Sequence, residues 1–111
     1  MSLSDLDRKY CDAIKELVKV GEEYAEAKAK SWHLQEMRKV CLSNQMKDMD
    51  GSVADREVRA KASKEYIKFL DGIREAIKEE QIKRAYVKKV DAEIDYCRSN
   101  LSMEKSKMEL R

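Results

Sequence analysis

The sequence predicts an all-α protein: an elongated antiparallel helical hairpin, coiled-coil-like, packed as a helical bundle in an oligomer. Three observations carry that expectation. Apolar residues recur at steps of three and four along most of the chain, the spacing of one helical face. The 111 residues include no proline and only 3 glycines, so few positions can stop a helix. Charged residues make up 41% of the chain, a level expected of long solvated helices. No stretch alternates with period two over a useful length, which leaves no strand signal.

The length fits one domain over residues 1–111. Its first helix is expected over about residues 3–47. Ser2 or Ser4 can cap it, with Asp5 and Asp7 favourably placed in the first turn. The stripe then reads Leu3, Leu6, Tyr10, Ile14, Leu17, Val20 or Gly21, and Tyr24. It thins to alanines over 25–29 and resumes through Trp32, Leu34, Met37, Val40, Cys41, Leu42 and Met46. Residues 48–52 are the expected turn, because Asp50-Gly51 is a turn dipeptide and Gly51 can adopt a left-handed conformation.

Beyond the turn, Ser52-Val53-Ala54-Asp55 reads as a new helix start, close to a capping box. Ser63 is a second cap. Residues 53–62 therefore form either a short helix of their own or the first turns of the return helix. The long return helix is expected over about 64–103. Its seam runs Tyr66, Leu70, Ile73, Ile77, then Val87, Val90, Ile94, Cys97 and Leu101. Between them the seam falls on Glu80, Lys83 and Arg84. Two alternatives stand for that stretch: a wet, salt-bridged layer, or charges that fix register against a second chain.

A single antiparallel helix pair buries a narrow seam, and burial scales poorly at this size, so self-association is expected. Trp32, Tyr66, Leu70, Ile73, Val90 and Ile94 are the candidate oligomer interface. Trp32 is read as a core or interface anchor, with His33 its exposed neighbour. Tyr10, Tyr24 and Tyr66 fall on the seam, and Tyr86 and Tyr96 at its periphery.

Charge and chemistry narrow the function classes. Lysines and arginines number 24 against 22 acids, a formal balance of +2, which is no strong nucleic-acid footprint. Residues 1–50 carry 9 basic and 10 acidic side chains; residues 51–111 carry 15 and 12. Lys83, Arg84, Lys88 and Lys89 are the candidate nucleic-acid contacts, since phosphate tracking needs rows of charge and no base reading. Acids interleave them, as on an ordinary solvated helix.

His33, Glu36 and Cys41 make one loose set, short of the compact ligand group that zinc needs. No glycine-rich phosphate loop and no histidine-based triad is present. Neither a cofactor, a metal nor an enzymatic activity is expected. Cys11, Cys41 and Cys97 are odd in number and lack a C-x-x-C, so they read as small, semi-buried apolar residues in a reducing cytosol. The N-terminus has no signal-peptide core, and no apolar run reaches the ~20 residues of a membrane span.

Four stretches share a further pattern: Met37-Arg38-Lys39-Val40; Ser52 to Glu57 continuing through Ala62-Ser63-Lys64-Glu65-Tyr66; Leu70-Asp71-Gly72-Ile73-Arg74-Glu75-Ala76; and Tyr96-Cys97-Arg98-Ser99. Together they resemble small helical proteins of unknown function encoded by bacteriophages and prophages. The family pattern is A-x-R-E, then A-x-A-S-x-E-Y, then L-x-G-L-x-x-A, then a late R-S. The likeness spans about residues 20–105. Ile73 stands where leucine is common and Cys97 where tryptophan or another apolar residue is expected; both keep the seam apolar. The resemblance implies a helical accessory protein of the host bacterial cytoplasm, encoded near phage replication or recombination genes. It implies contact with phage or host proteins and brings no catalytic residue. Direct nucleic-acid binding by the second long helix is the alternative.

Overall fold

The computed structural model describes residues 2–110; Met1 and Arg111, the outermost residues of the expected 1–111 domain, lie outside the described residues. Four helices follow one another: α1 Leu3–Glu36, α2 Arg38–Met46, α3 Val53–Lys61 and α4 Lys64–Glu109. Among the described residues there is no strand, so the all-α class read from the sequence is what the structure shows. Two compact units divide the chain: Met1–Ala25 with Ile82–Arg111, and Glu26–Gln81.

Local chemistry starts each helix. The Asp5 amide donates to Ser2 Oγ (3.1 Å), and the Ser2 hydroxyl donates to Asp5 Oδ2 (2.8 Å), so Ser2 is the cap. At α3 the Asp55 amide donates to Ser52 Oγ (3.2 Å). Ser63 serves two helices at once. Its hydroxyl accepts from the Tyr66 amide of α4 (3.2 Å) and donates to the Ala60 carbonyl of α3 (2.7 Å). One side chain pairs an otherwise free amide and adds a second donor to a terminal carbonyl that also accepts from the Ser63 amide (3.1 Å). Residues 53–61 thus form a helix of their own.

The expected single helix over 3–47 is interrupted at Met37, whose ψ of −7° leaves the α-helical well. Hydrogen bonds still cross the joint, from the Met37 amide to the His33 carbonyl (2.9 Å) and from the Cys41 amide to the Met37 carbonyl (3.0 Å). Beyond it the half-buried side chains are Cys41, Leu42, Gln45 and Met46, and α2 contacts α3. The turn then closes at Gly51, which sits at φ +111°, a conformation that a side chain strains. Arg59 of α3 donates to the Asp50 carbonyl and ties the turn to the helix after it.

In the unit of the chain ends, α1 and α4 run antiparallel. Glu23 meets Lys83 at 3.3 Å, and Ala13 and Val20 pack with Val90 and Ile94. Tyr10, Leu17 and Val87 flank that cluster. The inward positions of α1 here are Leu6, Tyr10, Ala13, Leu17, Val20 and Tyr24, steps of four and three in strict alternation. That 3.5-residue repeat is the seam of a coiled coil.

Five positions of the expected apolar stripe are exposed instead: Ile14, Trp32, Met37, Val40 and Ile77. Ile14 is 40% exposed, and Ala13 is buried at 8% in its place. On α4, within the unit Glu26–Gln81, Ile77 is exposed and Ala76 buried. Counting three or four from Tyr10 fits either residue. The packed seam selects the small one at position 13, opposite the branched Val90 and Ile94.

Of the charged layer, Glu80 and Lys83 are half-buried and Arg84 is exposed. The cross-helix Glu23–Lys83 contact makes position 83 a salt-bridged layer within the chain. In the unit Glu26–Gln81, Ala27, Ser31, Ala60, Tyr66 and Ile73 are buried. The hydroxyl of the fully buried Ser31 accepts from Gln35 Nε2 at 3.0 Å. Helix α4 continues to Glu109, past the stop expected near 103. No glycine or proline ends it sooner, and Lys105 and Lys107 stand near the negative end of its dipole.

Candidate interaction surface

The residues singled out from the sequence divide into those used by the fold and those left at the surface. Tyr66, Ile73, Val90 and Ile94 are buried within the chain, and Leu70 is half-buried. Trp32 is different: at 65% exposure it presents most of its indole to solvent rather than anchoring a core. His33 beside it is exposed, as expected. Tyr10 and Tyr24 are half-buried on the seam, whereas Tyr86 and Tyr96 are exposed. Cys11 is exposed, Cys41 half-buried and Cys97 buried, all three as free thiols.

The four candidate nucleic-acid contacts do not form one row. Lys83 faces the seam and its ammonium group meets Glu23. Arg84 and Lys88 share a face one turn apart, but Asp91 and Asp95 continue that face at steps of three and four. Lys89 lies on the opposite flank. There it lines a surface groove of about 950 Å³ with Lys9, Asp12 and Glu16 of α1 and Glu93 of α4. Leu6, Ala13 and Cys97 form the apolar floor of that groove, which carries both signs of charge. Among the described residues, no three His, Cys, Asp or Glu side chains are grouped to hold a metal ion, and no helix is long and apolar enough to cross a membrane.

What the structure brings together instead is apolar surface on helices. In the unit of the chain ends, Ile14 and Val18 of α1 are exposed, as are Tyr86, Tyr96 and Met103 of α4. In the unit Glu26–Gln81, Trp32, Val40, Val53, Val58 and Ile67 are exposed. Single exposed apolar residues are ordinary; rows of them along one helix are not. Cys11, Ile14, Val18, Gly21 and Ala25 form such a row, at steps of three, four, three and four. It lies one residue round the helix from the seam of Tyr10, Ala13, Leu17, Val20 and Tyr24. The signal was in the sequence, but one broad apolar arc reads there as a single stripe.

No family model matches the chain, and no curated protein or solved structure matches it.

Proposed function

We propose that this chain is a non-enzymatic phage or prophage accessory protein that acts through protein–protein contacts in the cytoplasm of its bacterial host. Proteins of phage DNA replication or recombination are the partners in this reading. The observation that carries it is the exposed apolar side chains on helix surfaces, with Trp32 and Val58 the most prominent in the unit Glu26–Gln81. Large apolar groups held in water are the usual raw material of contact surfaces, and tryptophan is the residue most enriched where binding energy concentrates. The phage context rests on the resemblance of residues 37–40, 52–66, 70–76 and 96–99.

The test is capture from phage-infected bacteria with the tagged full chain, alongside Trp32→Ser and Val58→Ser variants of unchanged helical content. The expected result is one or more phage or host replication proteins held by the parent chain and lost by at least one variant. A parent chain that holds no such protein, or holds it equally through both variants, contradicts the reading of these surfaces.

A further inference from the structure

We infer that α1 pairs antiparallel with α1 of a second copy of this chain, through the face carrying Cys11, Ile14, Val18, Gly21 and Ala25. This rests on the contact-protein reading above and gives that contact one defined partner. The face belongs wholly to the unit of the chain ends.

The first argument is that the chain leaves most of this face open, with only Gly21 of its five residues half-buried. Val18 is 59% exposed, and Cys11 and Ile14 are exposed beside it. Gly21 lies inside α1, where glycine is about 1 kcal/mol less favourable than alanine. A Cβ built there meets nothing within 4 Å, so no neighbour in the chain requires the glycine. Close approach of another helix is a requirement that would.

The second argument is shape. The row repeats with the heptad spacing that lets two helices stay in contact. Set antiparallel about a two-fold axis, it places Val18 against Gly21 of the second copy and Ile14 against Ala25 of the second copy. Each large side chain then meets a small one, and the two-fold repeats both layers.

The third argument is charge, and it selects the same register. Lys15 and Glu22 are exposed and flank the row on one side. Seven residues separate them, about 10.5 Å along the axis, so they do not pair within their own helix. In the register fixed by Val18 on Gly21, Lys15 comes within two residues, about 3 Å along the axis, of Glu22 of the second copy on the same side, and Glu22 likewise of its Lys15. One symmetry operation yields two ion pairs. The two apolar layers and the two charge pairs fall in one register, in which Cys11 lies at the edge opposite Lys28 of the second copy.

Sedimentation equilibrium of the full chain tests this, using Lys15→Glu, Glu22→Lys, the double exchange, and Gly21→Leu. The parent is expected to dimerise below ~100 µM. Either single exchange sets like charges opposite each other twice and is expected to weaken the dimer roughly tenfold, with the double exchange restoring it to within about threefold. Gly21→Leu favours the helix, and its Cβ meets nothing within 4 Å in the chain, so circular dichroism is expected to stay helical while the dimer is lost. A parent that stays monomeric at ~100 µM overturns the inference. So does a dimer that ignores Gly21→Leu and the exchanges. Either result leaves capture through Trp32 and Val58 to decide the contact reading separately.

Discussion

Truncating Ile94 to alanine, and comparing it with the same truncation at Ile14, measures which isoleucine the seam contains. Ile94 is 5% exposed and packs with Ala13, Val20 and Val90. The change removes three buried carbons, about 2.4 kcal/mol at roughly 0.8 kcal/mol per buried CH₂. Incomplete collapse of the site adds to that, for a total of about 3 kcal/mol. With an unfolding entropy of about 2.1 cal/mol/K per residue, cooperative unfolding of this chain loses about 13 °C in Tm. Ile14 is 40% exposed, so the same truncation there costs about 1 kcal/mol. Both changes gain equal helix propensity, so their difference reports burial. Thermal unfolding by circular dichroism, at dilutions where Tm no longer depends on concentration, is the assay. Equal losses at the two sites, or a larger one at Ile14, refute the seam register described above.

Three further outcomes follow from the same contacts. Ser63→Ala removes the group shared by the Tyr66 amide and the Ala60 carbonyl and is expected to cost about 1 kcal/mol in urea unfolding; unchanged stability means the cap contributes nothing. Gly51→Ala forces a side chain onto φ +111° and is expected to cost about 1–2 kcal/mol. Its new Cβ would sit in ordinary contact with Arg59, 3.4 Å away, so a neutral result would place the turn in another conformation. For Glu23 and Lys83, a double-mutant cycle with Glu23→Gln and Lys83→Met is expected to return a coupling of about 0.5 kcal/mol at low salt that fades at 1 M. Zero coupling at low salt rules out an energetic role for that pair.

Much of the helical framework was legible because its signals are local. Ser2, Ser52 and Ser63 each accept from an amide three residues ahead, and such contacts are decided within one turn of chain. Gly51 as the turn residue belongs to the same class. The interruption at Met37 had no such signal, since no glycine, proline or side-chain cap marks it. The exposure of Trp32 was missed for a related reason. Its size and apolarity argue for burial, but which arc of α1 is covered depends on residues far away in sequence.

The candidate surface was legible only as an undivided apolar arc. Residues 10–25 carry two adjacent heptad rows, and nothing within α1 says which one faces α4. The helical class, the capping serines Ser52 and Ser63 and the turn at Gly51 were readable in advance, because they depend on backbone hydrogen bonds and torsions a few residues apart. Packing between helices, which no local signal encodes, turns Ala13 and Ala76 inward while Ile14, Ile77 and Trp32 face out. Burial is a property of two packed surfaces: at position 13, where Val90 and Ile94 press in from α4, a small side chain fits and a larger one turns to solvent.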